Sequence, residues 1–231
     1  GIVVRGAGAT IENGYFYGND VYRSYETRNE AENEQEPVAG PGASYAFKVY
    51  GGTATVNGGT FGQQVSENGA LLESYSAGSG AFVMGTDSNT LGTAEILGGT
   101  FKVAGQVGFS IYRYAKVTFG SAGASNSNSN TDLIVSGGAA AVALEKEHST
   151  HTQVTINSGT FTSDGSAGNG DAIWYGNAAV KLTVNDGQFT ENARSGLYID
   201  NTANADGASQ SGGACPDPDH RARIPGIPLV E

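Results

Sequence analysis

Val56-Asn57-Gly58-Gly59-Thr60-Phe61 is the stretch whose reading decides the fold, because the chain repeats it. Ile96-Leu97-Gly98-Gly99-Thr100-Phe101 and Ile156-Asn157-Ser158-Gly159-Thr160-Phe161 are close copies, and looser ones start at Ile11 (IENGYF) and Val184 (VNDGQF). The shared rule is an apolar residue, Ile or Val two positions on, Gly three after that, and Phe two later. Ahead of it stands a second element with large side chains at period two, as in a strand with one buried face. It reads Ala46-Phe47-Lys48-Val49-Tyr50, then Ala81-Phe82-Val83-Met84, Gly108-Phe109-Ser110-Ile111-Tyr112, Ala141-Val142-Ala143-Leu144, Ala172-Ile173-Trp174-Tyr175 and Gly196-Leu197-Tyr198-Ile199.

Two degenerate copies of the first phrase are centred on Val117 and Val135. Subtracting successive central positions 11, 56, 96, 117, 135, 156 and 184 gives gaps of 45, 40, 21, 18, 21 and 28. Gaps near 20 suit one turn of a β-solenoid; those of 40 and 45 suit two turns, or one turn with an insert. Coils stacked in parallel bury each inward side chain against its equivalents one coil away, about 4.8 Å distant. Val56 is thus expected over Ile96 or an intervening coil, and Phe61 over Phe101. Gly14, Gly59, Gly99, Gly159 and Gly187 fall where the chain turns a corner, for which Gly accepts positive φ. Asn57, Asn157 and Asn185 precede that corner and suit an amide ladder.

The units AFKVYGGTATVNGGTF and AIWYGNAAVKLTVNDGQF resemble coils of the right-handed parallel β-helix, the pectin-lyase-like superfamily, and in particular the Gly-Gly-Thr-Phe repeat regions of large secreted or surface proteins. The fold class expected is therefore all-β, a right-handed parallel β-helix with irregular loops over residues 1–201. Residues 17–43 read as a surface loop carrying Glu26, Glu30, Glu32, Glu34 and Glu36, 202–213 as a Gly/Ser-rich flexible linker, and 214–231 as an extended Pro-rich tail. The superfamily hosts lyases, hydrolases, tailspikes, adhesins and spacers, so the resemblance implies an architecture rather than an activity.

Composition narrows the partners. The net charge of −11 and pI of about 4.6 disfavour nucleic acid. No apolar run approaches the roughly 20 residues of a membrane span. Gly makes up 36 of 231 residues, more than twice the usual share of about 7%, and charged residues are only 15%. Short strands joined by tight turns would give both figures.

Candidates for catalysis on this fold are Asp164, Asp171, Asp186, Glu191, Asp200, Arg113, Arg194 and Lys116. They form neither an Asp-Asp pair nor the Gly-His-Gly pattern of polygalacturonase-like sites. His148 and His151 fall on opposite faces of a strand, which does not make a zinc site. No catalytic, metal or cofactor site is assigned. Outward aromatics, notably Tyr112, Trp174 and Tyr198, form a possible glycan platform. Self-association is expected through Ile2 and Val4 at one end and through Ile224, Ile227, Leu229 and Val230 of the tail, packing on a neighbouring copy. Cys215 reads as a free or tethering thiol. The expected function is a structural or adhesive extracellular or surface β-solenoid that stacks head to tail on copies of itself into a filament. The alternative is a carbohydrate-binding or polysaccharide-cleaving β-helix.

Overall fold

The computed structural model describes residues 1–16, 45–65, 71–75, 80–103, 107–123, 133–144, 151–166, 168–176 and 180–199. Among these there is no helix; strands follow one another around a coil that touches three sheets in turn. The first coil holds β1 (Ile2–Arg5), β2 (Gly8–Ile11) and β3 (Tyr15–Phe16); the second β4 (Phe47–Tyr50), β5 (Thr53–Val56) and β6 (Thr60–Phe61), followed by an antiparallel hairpin of β7 (Gln63–Val65) and β8 (Leu71–Tyr75). The third holds β9 (Ala81–Met84), β10 (Gly92–Ile96) and β11 (Gly99–Val103); the fourth β12 (Val107–Ile111), β13 (Ala115–Phe119) and β14 (Leu133–Gly137). The fifth holds β15 (Ala140–Leu144), β16 (Gln153–Ile156) and β17 (Thr160–Ser163); the sixth β18 (Asp171–Tyr175), β19 (Lys181–Val184) and β20 (Gln188–Asn192), after which β21 (Ser195–Ile199) opens a seventh. Every pairing within the three sheets is parallel, so the molecule is an all-β parallel β-helix.

The register turns the sequence repeat into columns. Ile11, Val56 and Ile96 stack on the second sheet, and Phe16, Phe61 and Phe101 on the third. Phe61 and Phe101 lie 4.3 Å apart, 3° from parallel, and Phe16 stacks on Phe61 at 5.0 Å. Val56 thus pairs directly with Ile96. The two long gaps are single coils with inserts: residues 17–44 lie between β3 and β4, and the hairpin between β6 and β9.

Two expected equivalences are corrected. Val117 and Val135 do not mark separate coils; they lie on the second and third sheets of the fourth coil. Phe119, not Val117, sits between Ile96 and Ile156, while Val135 takes the place of a Phe between Phe101 and Phe161. The aromatic ring has changed sheets within that coil, and it stays in the core: Phe119 meets Phe109 at 5.0 Å and Phe161 at 5.6 Å, both edge-on. A coil of fixed girth accommodates one large ring and one aliphatic at this corner in either order.

The second correction shifts Ala81-Phe82 by one residue. Phe47 pairs with Ala81, and Ala81 with Phe109, so Ala81 points inward and Phe82 outward. The small Ala81 leaves room for the Phe47 and Phe109 rings to approach to 6.4 Å across it. The residue before each inward head position is Gly1, Ala46, Gly80, Gly108, Ala141, Ala172 or Gly196, all small, and at two of the glycines the reason is steric. A Cβ on Gly80 would lie 2.5 Å from the Val107 carbonyl oxygen, and one on Gly108 2.7 Å from that of Ser136.

The corner glycines Gly14, Gly59, Gly99, Gly159 and Gly187 have φ between +101° and +144°. A Cβ at Gly99 would also meet the Gly59 carbonyl oxygen at 2.9 Å. The amide ladder is partial. Asn185 Nδ2 donates to Asn157 Oδ1 at 2.8 Å, Asn157 Nδ2 donates to the Gly120 carbonyl at 3.3 Å, and Asn57 Nδ2 donates to Glu12 Oε2 at 2.9 Å. Leu97 breaks the series. The acidic loop, the linker and the tail lie outside the described residues, as do His148, Asp200 and Cys215.

Candidate functional site

Two regions of the solenoid carry side chains beyond what the repeat needs. The first is the outer face of the seven-stranded sheet, where the three aromatics of the expected glycan platform fall into two groups. Trp174 and Tyr198 are register neighbours on β18 and β21, with the Arg194 guanidinium 4.0 Å over the Tyr198 ring. Tyr112 lies apart, at the end of β12, 4.8 Å from Phe82, which in turn lies 5.0 Å from Tyr45. The outward Phe82 is buried under this local aromatic cover, with Lys48 Nζ 5.4 Å from its ring.

Beside Trp174 is an open depression of about 160 Å³ bordered by Val107, Ala140, Ala143, Asn169 and Asp171. It arises because Ala143 precedes Trp174 in the outward column, a step from a small side chain to a large one. Asp171 is 1% exposed and fully engaged: Arg194 Nε donates to its Oδ1 at 2.8 Å, Arg194 Nη2 donates to Oδ2, and Ser195 Oγ donates to Oδ1 at 2.6 Å. A carboxylate so held anchors the sixth coil to the seventh rather than presenting a base to solvent.

Two of the other carboxylates named from sequence, Asp186 and Asp164, do turn work. Asp186 Oδ1 accepts the Gly187 N–H at 2.8 Å, and Asp164 Oδ1 accepts the Ser166 N–H at 2.9 Å. The Ser166 side chain and then its backbone hold the Asp164 carboxyl below its ordinary 3.8. Glu191 is exposed with φ +55°, Lys116 points outward, and Arg113 lies in the turn after β12. His151 packs its ring 5.8 Å from Tyr114. Among the described residues no three His, Cys, Asp or Glu side chains converge as metal ligands.

The second region is the first and last described coils. Ile2 and Val4 face inward over Phe47 and Val49; Val4 is buried and Ile2 half-buried, while Val3 between them is 61% exposed. Among the described residues the large apolar side chains most open to solvent are Val3, Tyr15, Leu97 and Ile199, and three of these four lie on the outermost strands β1, β3 and β21. Half-buried core residues also gather at the ends: Ile2, Ala9 and Phe16 on the first coil, and Leu182, Val184, Phe189 and Leu197 on the last strands. Of these only Ile2 is expected from sequence to take part in self-association. The rest carried a signal all the same, being the first and last members of columns the repeat defines. Ile224, Ile227, Leu229 and Val230 lie outside the described residues. No protein-family profile, curated protein or solved structure matches this chain.

Proposed function

We propose that this chain is a structural or adhesive β-solenoid of the cell exterior or a cell surface, whose copies associate end to end into a filament. The observation that carries the reading is the parallel stack itself, in which like meets like from coil to coil, Ile11, Val56 and Ile96 in one column and Phe16, Phe61 and Phe101 in another, so that one coil face is complementary to another. A strand edge offers a row of backbone donors and acceptors, and a heterologous contact that does not close on itself grows into a fibre. Likeness of the repeat to pectin-lyase-like coils and to Gly-Gly-Thr-Phe regions of surface proteins supports the location. The tail enters through its sequence alone, with Ile224, Ile227, Leu229 and Val230 as the side chains that would pack on a neighbour.

Sedimentation and negative-stain electron microscopy over a range of protein and salt concentrations test the reading. Rods of constant width whose length grows with concentration are expected. A chain that stays monomeric under all conditions rules it out. A second reading, carbohydrate binding, is favoured by the Trp174–Tyr198 pair with Arg194 and the adjacent depression, since aromatic faces stack on sugar rings. On a glycan array combined with a lyase and hydrolase screen, binding abolished by Trp174→Ala would establish it, and turnover of an acidic polysaccharide would make the chain an enzyme.

A further inference from the structure

The outer face of the seven-stranded sheet is uneven around Trp174, and the unevenness has the size and chemistry of a single sugar substituent. Along one outward column Ser110 and Ala143 are followed by Trp174 and Tyr198, so two small side chains give way to two large ones. Trp174 is seated to present a ring face. A Cβ on Gly176 would lie 2.5, 2.8 and 3.0 Å from Cη2, Cζ2 and Cζ3 of the indole, three successive atoms at nearly equal distances, so the ring rests on that glycine by its face. The opposite face is turned away from the strand, and the side chain is half-buried. Tyr198 is less open to a stacking partner, because the Arg194 guanidinium is 4.0 Å over its ring.

The depression of about 160 Å³ begins beside the Trp174 ring. Nearly buried Ala140 and Ala143 form its floor, and half-buried Val107 and exposed Asn169 lie on its rim. A cavity of about 150 Å³ holds one benzene, so this space suits about six heavy atoms, fewer than a hexose ring with its hydroxyls. Its surface is mostly methyl groups, with the Asn169 side-chain amide at the rim able both to donate and to accept. The one carboxylate there, Asp171, is 1% exposed and already meets Arg194 and Ser195.

We propose that this is a binding site for a neutral sugar carrying an acetamido group, an N-acetylhexosamine. The sugar ring stacks on Trp174, the acetamido methyl enters the depression over Ala140 and Ala143, and the acetamido N–H and C=O meet the Asn169 amide. This deepens the carbohydrate-binding reading above and rests on it. Pockets that orient small ligands combine an apolar lining with a few placed polar groups, and an acetamido group matches both parts. A hydroxyl in its place would lose water against methyl groups and find no partner on the floor. A carboxylated sugar would bring a negative charge to a chain of net charge −11, beside a carboxylate whose cation is already engaged.

Trp174 is the only tryptophan of the chain, so its fluorescence reports on this site alone. The experiment is a fluorescence titration with N-acetylglucosamine, N-acetylgalactosamine, glucose, galactose and glucuronic acid, beside a glycan array. At least one N-acetyl sugar should give a saturable change at a concentration about tenfold lower than its parent hexose, from one more buried methyl and one more hydrogen bond. Asn169→Ala and Ala143→Val should each shrink that advantage several-fold and leave the response to the parent hexose unchanged, with circular dichroism confirming an intact solenoid. Equal responses to an N-acetyl sugar and its parent, a stronger response to glucuronic acid, or an advantage that both variants retain overturns the acetamido site and leaves the carbohydrate reading standing. No response to any of these sugars also overturns the site; if the array is blank as well, the carbohydrate reading falls with it.

Discussion

Phe119 and Val135 show how a single residue is chosen by its coil and not by its strand. In the coils on either side the large ring lies on the third sheet, as Phe101 and Phe161, opposite Ile96 and Ile156; in the fourth coil the ring is on the second sheet. Phe119→Ala should cost about 3–5 kcal/mol, the usual range for an emptied aromatic site. Val135→Phe alone should cost about 1–3 kcal/mol by overpacking. The double variant Phe119→Ile/Val135→Phe restores the arrangement of the neighbouring coils and should be less destabilised than the sum of its parts by roughly 0.5–3 kcal/mol. Urea unfolding of the wild type, Phe119→Ile, Val135→Phe and the double variant measures this. At the corner, Gly99→Ala should destabilise by more than about 1 kcal/mol, since the conformation excludes a side chain and the Gly59 carbonyl occupies its space.

At the scale of elements, the sixth coil is joined to β21 by the Asp171, Arg194 and Ser195 cluster as well as by the ladder. Arg194→Met would leave a carboxylate that is 1% exposed without its cation. Removing one partner of a buried pair typically costs about 3–5 kcal/mol, and pairing the change with Asp171→Ala should recover most of it. The readout is the unfolding midpoint, together with hydrogen exchange of β18 and β21. Asp164, in the turn after β17, has its carboxyl held below 3.8 by Ser166. A group whose folded value is depressed adds stability above its unfolded value and loses it as pH falls through the folded one. Ser166→Ala should therefore flatten the fall of the unfolding midpoint below about pH 4, by a small amount because the group is exposed.

For the whole molecule, the charge of −11 opposes any meeting of two copies. Screening shortens to about 10 Å at 0.1 M salt, so the proposed filament should lengthen as ionic strength rises, read by sedimentation. Within one copy each coil touches mainly its neighbours, and stability is close to a sum over coils and the contacts between them. Amide exchange should accordingly be slow in β10, β13 and β16, each paired with a strand on both sides.

The amino-acid sequence determined the architecture by itself, because a solenoid stacks like on like and so writes its columns into the chain as a repeat. Phe61 over Phe101 and the five corner glycines are legible in the repeat, and Val56 over Ile96 is legible as one of two placements. What only the tertiary structure decided lies where different residues do the same job. An inward place can be filled by Phe or Val when a facing side chain compensates, which hid the fourth coil. Ala81 takes a Phe position because rings from the coils above and below fill the space it leaves. Trp174 and Tyr198 come together, apart from Tyr112, because register and not spacing along the chain sets neighbours.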